Sequence, residues 1–181
     1  MSLGERILII GSGGAGKSTL AVQLGGLLGL PVVHLDAEFW HPGWVQTPDE
    51  EWHYRVSELV KDDRWLMDGN YGSSLALRLE AADTVIFLDY PWPVCLWRVL
   101  KRVTASYGRT RPDMAPDCPE RFDMSFLKWI VWDFPRRSRG KLLQRLAEGT
   151  EGKQLIVLRS PKETEKWLVG LSLQCPDLTS L

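Results

Sequence analysis

Gly11-Ser12-Gly13-Gly14-Ala15-Gly16-Lys17-Ser18-Thr19 fits the pattern G-x-x-x-x-G-K-[ST] at every defined position, and its reading decides the fold. Four glycines let a backbone turn tightly and aim successive N–H groups inward, forming a nest for an anion. Lys17 adds a positive charge suited to the outer phosphates of a triphosphate, and the Ser18 hydroxyl is placed to ligate Mg²⁺. The flanks supply the context this P-loop motif needs. Arg6 to Ile10 is a short apolar run of the kind found in buried parallel strands, and Leu20, Leu24, Leu27 and Leu28 then recur at helical spacing. Gly29 and Pro31 mark the helix end. Residues Gly11 to Thr19 are therefore expected to bind the phosphates of a nucleoside triphosphate, with the helix dipole assisting.

The same alternation continues outward from this turn. Leu30 to Leu35, Arg64 to Met67, Thr84 to Leu88 and Gln154 to Leu158 read as further strands, separated by helical stretches. Thr47-Pro48-Asp49-Glu50 predicts a capped helix start running to about Lys61, and Ser160-Pro161-Lys162-Glu163 predicts another, ending near Leu171. Pro91 and Pro93 open a helix whose apolar face is expected to be Val94, Leu96, Trp97, Leu100 and Val103. Helical patterning from about Met124 to Ala147 is expected to break at Pro135 and Gly140. The stretch beyond Gln174 is expected to be loosely held. Strands alternating with helices predict an α/β fold, a parallel sheet covered on both faces. The 181 residues suit a single domain.

Composition narrows the function classes. A formal net charge of −1 argues against bulk attraction to nucleic acid or anionic membrane. No apolar run approaches a membrane span and no signal-peptide pattern opens the chain, so a cytoplasmic protein is expected. Cys95, Cys118 and Cys175 follow no metal or disulfide spacing, and His34, His41 and His53 are read as structural or solvated.

Asp36, Asp68 and Asp89 each follow a predicted strand, and strand ends in such sheets face the ligand crevice. One of them is expected to complete the Mg²⁺ site with Ser18; spacing alone leaves open which. Arg98, Lys101, Arg102, Arg109 and Arg111 form one block without an acidic residue, and Arg136, Arg137, Arg139, Lys141 and Arg145 form a second. These ten of the chain's 22 lysines and arginines flank a Gly/Pro-rich stretch, Tyr107 to Phe122. That pattern suits a lid closing arginines over a transferring phosphate. The aromatic stretch Phe39 to Trp44 is read as either a wall for an acceptor or base, or a satellite hydrophobic cluster.

Taken together, the P-loop, His34-Leu35-Asp36, Asp68-Gly69-Asn70-Tyr71, Arg109-Thr110-Arg111-Pro112-Asp113-Met114 and Phe134-Pro135-Arg136-Arg137-Ser138-Arg139 resemble the adenylate-kinase-like branch of P-loop kinases. Within it the chain is most similar to small bacterial proteins labelled "DNA topology modulation" or FlaR-like. The resemblance implies a three-layer sandwich with a five-stranded parallel sheet of order 2-3-1-4-5. It also implies an acceptor-binding insertion at about 36–63, a lid at about 107–123, and ATP with Mg²⁺ as donor and cofactor. Carried over residue by residue, it implies Ser18 and Asp68 on the metal side, and Lys17, Arg98, Arg102, Arg136, Arg137 and Arg139 on the phosphates. Ser160-Pro161 would form the adenine-side loop.

The departures matter. Asn70-Tyr71 stands where adenylate kinases carry Phe-Pro-Arg, and their Thr-Gly-Asp acceptor signature is absent. Asp36 followed by an aromatic loop is instead similar to kinases of small hydroxyl compounds such as gluconate and shikimate, where a carboxylate takes or orients a hydroxyl proton. The expected partner is a small-molecule acceptor (nucleotide, nucleoside or hydroxyl metabolite), with no membrane or nucleic acid, in a monomer or weak dimer. A DNA-associated regulator and an acceptor-independent switch NTPase are the alternatives. No helix-turn-helix signature supports the first, and no Asn/Thr-Lys-x-Asp guanine motif supports a GTPase.

Overall fold

Runs of β-branched and large apolar residues can hide both side-chain sets only at the centre of a layered structure. The computed structural model, which describes residues 3–173, uses them in this way. The strands are β1 Arg6–Gly11, β2 Val32–His34, β3 Trp40–His41, β4 Val45–Gln46, β5 Trp65–Asp68, β6 Thr84–Leu88 and β7 Gln154–Leu158. Five of them form one sheet in the order β2-β5-β1-β6-β7, and all its pairings are parallel. Numbered along the sheet strands alone, this is the 2-3-1-4-5 order.

Alternation along β1 builds the layers. Ile7 and Ile9 point to one face, where they meet Leu20 and Leu24 of α1 (Lys17–Leu28), Val99 of a later helix and Leu171 near the C-terminal end of the described chain. Leu8 and Ile10 point to the other, where Leu79, Phe134, Leu142 and Leu146 cover them. Each fully buried side chain of this size contributes roughly 1.5–3 kcal/mol. Register brings the carboxyl ends of the central strands level: His34 lies opposite Asp68, and Gly11 opposite Leu88. Every candidate residue on these ends therefore shares one edge of the sheet.

Local structure departs from the sequence pattern in several places. The second strand stops at His34, and Leu35–Phe39 form a short helix, α2, which places Asp36 in its first turn. The aromatic stretch is a hairpin, β3 pairing antiparallel with β4. Thr47 does not cap the next helix, because both its N–H and its Oγ1 donate to Phe39 O and close the hairpin base. Pro48 takes the cap position, and α3 spans Asp49–Leu59, short of Lys61. Helix α4 is Leu75–Ala81 and α5 is Trp92–Ser106. On α5 the buried stripe is Cys95, Val99 and Val103, four residues apart, while Trp97 is 67% exposed.

The break expected at Pro135 and Gly140 does not occur. Helix α6 (Met124–Lys128) runs into a π-helix, Trp129–Ser138, and then into α7 (Arg139–Gly149). The wider π turn absorbs a proline that has no N–H to donate and would clash with the carbonyl four residues back in an α-helix. Helix α8, Pro161–Ser172, starts as its sequence predicts: Ser160 Oγ accepts from Glu163 N at 3.2 Å, and Glu163 Oε2 accepts from Arg159 N at 2.6 Å. The stretch beyond Gln174, with Cys175, lies outside the described residues. Among the described residues, no helix is long and apolar enough to cross a membrane.

Candidate active site

The P-loop joins β1 to α1, and two of its glycines adopt conformations that a side chain would oppose. Gly14 has φ +80°, and a Cβ there would lie 2.3 Å from Cys95 O; Gly16 has φ +95°. Lys17 folds back over the turn, donating to Gly11 O at 3.1 Å and Ser12 O at 3.2 Å. Burial lowers its pKa below the ordinary lysine value, against the opposing pull of Asp36 and Asp68. Ser18 Oγ donates to Asp68 Oδ2 at 2.8 Å. Of the three strand-end aspartates, Asp68 is thus the one beside Ser18. Asp89 is held by Arg139 through two bonds of 2.7 Å, and Asp36 accepts the Tyr71 hydroxyl at 2.6 Å. His34 meets the other Asp68 oxygen through Nδ1 at 2.5 Å, a bond that raises the imidazole pKa.

The segment after β5 ties these pieces together. Asn70 accepts from Gly11 N at 3.0 Å and donates to Gly11 O at 2.7 Å, locking the segment to the mouth of the P-loop. Tyr71 takes a positive φ of 28° and aims its hydroxyl at Asp36. Burial, then the Asp36 charge, raise the Tyr71 pKa, so it stays a donor. Arg78 on α4 lies fully buried beneath the turn and donates to Gly69 O, Asn70 O and Tyr71 O at 3.0, 2.6 and 2.8 Å. Burial without a nearby carboxylate pushes its pKa down to about 9. Arg78→Ala strips three carbonyls of their donors and is expected to lower stability by about 3 kcal/mol, read as a shifted denaturation midpoint. A midpoint unchanged from wild type would contradict this role.

Residues 107–123 cross over the site. Arg102 on α5 and Arg111 both converge on Glu120 Oε1, at 3.0 and 2.6 Å, and Arg111 also meets Asp113 at 2.7 Å. Burial, then the like charge of Arg111, lower the Arg102 pKa. The same segment is fastened to the hairpin. Gly43 N donates to Asp117 O, Trp44 Nε1 to Pro119 O and Cys118 Sγ to His41 O, at 2.9, 3.1 and 3.3 Å. Met114, Ala115 and Cys118 pack against Trp40 and Trp44. Hairpin and crossing segment therefore make one roof. Beneath it lies a cavity of about 820 Å³, with the P-loop, Lys17 and Ser18 at one side and Asp36, Tyr71 and Trp44 at another.

Arg98 lines this cavity and donates to Ala15 O at 3.4 Å, beside Gly16. Arg102 lines it as well. The second basic block does not reach it. Arg136 and Arg137 are exposed, and the Arg136 guanidinium stacks 3.5 Å over the Trp132 ring, because Ile130 and Phe134 take the inward side of the π-helix. Arg139 is engaged by Asp89. Ser160 serves as a helix cap, and neighbouring Arg159 lines a separate cavity of about 450 Å³ with Asp89, Trp92 and Arg139. His34, Asn70, Arg78, Asp113 and Glu120 carry site geometry that the motif reading left without a role.

No family model and no curated protein matches the chain. Solved structures do. A shikimate kinase from Acinetobacter baumannii in complex with shikimate is 16% identical, with a TM-score of 0.53 over 97% of this chain and 94% of that one. A gluconokinase from Sinorhizobium meliloti 1021 is 17% identical, with a TM-score of 0.52 over 98% and 97%. A shikimate kinase from Bacteroides thetaiotaomicron is 16% identical, with a TM-score of 0.51 over 93% and 97%. The chain has the fold of P-loop small-molecule kinases. At these identities the likeness is one of fold, and the FlaR-like resemblance rests on the sequence motifs alone.

Proposed function

We propose that the chain is an ATP- and Mg²⁺-dependent phosphotransferase acting on a small acceptor, with the general plan of a nucleotide or nucleoside kinase. The observation that carries this reading is the opening of Lys17, Ser18 and Asp36 toward one cavity, with Asp68 hydrogen-bonded to Ser18 at its edge. In this reading the backbone amides of Gly13 to Thr19 and Lys17 hold the phosphates. Ser18 and Asp68 offer two hard oxygen donors 2.8 Å apart, which fits Mg²⁺. The metal would neutralise phosphate charge when bound. Arg98 and Arg102 add fixed positive charge where the moving group gains negative charge.

Asp36 supports the hydroxyl-acceptor form of this reading over the nucleotide form. Its carboxylate faces the cavity, receives Tyr71 on one oxygen and forms no ion pair among the described residues. The acceptor hydroxyl donates its proton toward Asp36 as its oxygen bonds to the γ-phosphorus and the bond from that phosphorus to the ADP oxygen breaks, releasing ADP, while Tyr71 holds the carboxylate in place. A nucleotide acceptor brings an oxygen that is already anionic and gains nothing from such a base.

Turnover with ATP–Mg²⁺ across nucleotides, nucleosides, sugars and sugar acids tests the proposal. Acceptor-dependent ADP formation is the expected result. Hydrolysis indifferent to every acceptor would instead mark a switch NTPase.

A further inference from the structure

Resting on the phosphotransferase reading, we infer that the acceptor half of the cavity takes an uncharged polyhydroxy ring compound, a nucleoside or neutral sugar, and discriminates against phosphorylated and acidic acceptors. The inference comes from which charges in the cavity are already matched. Lys17 and Arg98 lie against the P-loop backbone, on the donor side. Two arginines that line the cavity together with Asp36, Arg102 and Arg111, share one buried oxygen of Glu120, and Arg111 is matched a second time by Asp113. Two cations there meet two carboxylates, and Asp36 adds a third carboxylate with no cation of its own.

A monoanionic or dianionic acceptor needs a guanidinium with an open fork, because bidentate pairing supplies most of its recognition. Arg111 offers none, with Nη1 on Asp113 and Nε beside Glu120, and Arg102, which meets Glu120 through Nε alone, is committed in this reading to the transferring phosphate. Pulling Arg111 away would leave Glu120, 5% exposed, buried with half its compensation gone, a costly state. Arg121 is the remaining cation on this side. It is exposed at the rim, 5.2 Å over the Trp44 ring, rather than aimed at Asp36.

What the cavity offers instead is aromatic surface next to a proton acceptor. Trp40 and Trp44 sit edge to face at 5.3 Å and line the wall beyond Asp36, and Tyr71 closes it from below. Flat aromatic faces stack on nucleobases or on the C–H faces of sugar rings, and neither contact needs a charge. A ring lying on this wall presents a peripheral hydroxyl to Asp36. The arginine–carboxylate cluster then acts as a selectivity device, holding the roof closed while keeping its positive charge unavailable to an acceptor anion.

Matched pairs test this: thymidine against thymidine monophosphate, and glucose against gluconate, each with ATP–Mg²⁺. The neutral member of at least one pair is expected to have the higher kcat/KM, by about tenfold or more. Equal or greater efficiency for the anionic member in the pairs that turn over overturns the inference while leaving the phosphotransferase reading intact. Calorimetric titration of the same compounds into the protein held with a non-hydrolysable ATP analogue supplies a readout independent of turnover. Binding of anionic but not neutral compounds overturns the inference, as does failure of both while the analogue still binds.

Glu120→Gln releases both roof arginines and is expected to move the neutral-to-anionic ratio toward the anionic member by about tenfold. Asp113→Asn, at a less buried position, is expected to shift it the same way and serves where the first variant fails to fold. Arg121→Ala is expected to leave the ratio unchanged. A ratio unmoved in both carboxamide variants, or an anionic acceptor lost only in Arg121→Ala, overturns the inference.

Discussion

Lys17→Ala is expected to lower kcat by about 100–1,000-fold, with weaker binding of ATP–Mg²⁺. The ammonium is held by two carbonyls of its own loop, Gly11 O and Ser12 O, so it is oriented before any phosphate arrives. A preoriented charge loses little entropy when the transition state forms, and its interaction strengthens as negative charge builds. Burial already disfavours the charged form, so the protein maintains this ammonium at a cost to stability. The alanine variant should therefore melt no lower than wild type within about 1 kcal/mol, since Gly11 O keeps its bond from Asn70 and the buried ammonium no longer has to be maintained. Calorimetry with ATP–Mg²⁺, alongside thermal melts, separates the two effects. Unchanged triphosphate affinity in a folded variant would remove the central assignment.

The scaffold was readable because the features that specify it are local. Ile7 to Ile10 and Val85 to Leu88 are apolar on both alternating sets, a pattern that suits the inside of a layered sheet, and Leu155 to Leu158 carry it on to the edge strand β7. Gly11, Gly14 and Gly16 of the P-loop carry their positive φ angles in their residue type. What escaped reading depends on long-range partners. His34 looks like a lone histidine until β2 and β5 pair in parallel and set it opposite Asp68. Glu120 looks like one more loop carboxylate until the crossing segment folds back on α5 and brings it to Arg102. A single-signed block such as Arg98 to Arg111 invites the question of what neutralises it, and Asp113 and Glu120, just beyond it, were the available answer.

The second block lies away from the cavity for the converse reason. Arg136, Arg137 and Arg139 are contiguous in sequence, but the π-helix turns Ile130 and Phe134 inward and leaves the arginines to Trp132, solvent and Asp89. Charge density along a chain indicates where cations are concentrated, not which face they occupy. Trp97 shows the same limit for apolar residues. It fits a generous helical stripe, but α5 buries Cys95, Val99 and Val103, packs Val94 and Leu96 partly against the core, and leaves Trp97 outside.

Asp36→Asn tests the acceptor half directly. The amide keeps an oxygen that can accept the Tyr71 hydroxyl, so the wall geometry should survive, whereas the capacity to take a proton is lost. For a hydroxyl acceptor, kcat should fall by about 100–10,000-fold while the KM for ATP stays near wild type, because Lys17, Ser18 and Asp68 are untouched. Tyr71→Phe removes only the hydrogen bond that orients the carboxylate, and its effect on kcat should be smaller, about tenfold. The order of the two effects is diagnostic. A base needs its orienting partner less than it needs itself, so a purely structural Asp36–Tyr71 pair would show two similar losses, both accompanied by lower melting temperatures. An acceptor that arrives as an ionised phosphate reverses the sign. Asp36 would then repel it, and Asp36→Asn would raise kcat/KM. Increased efficiency in that variant would exclude Asp36 as a base.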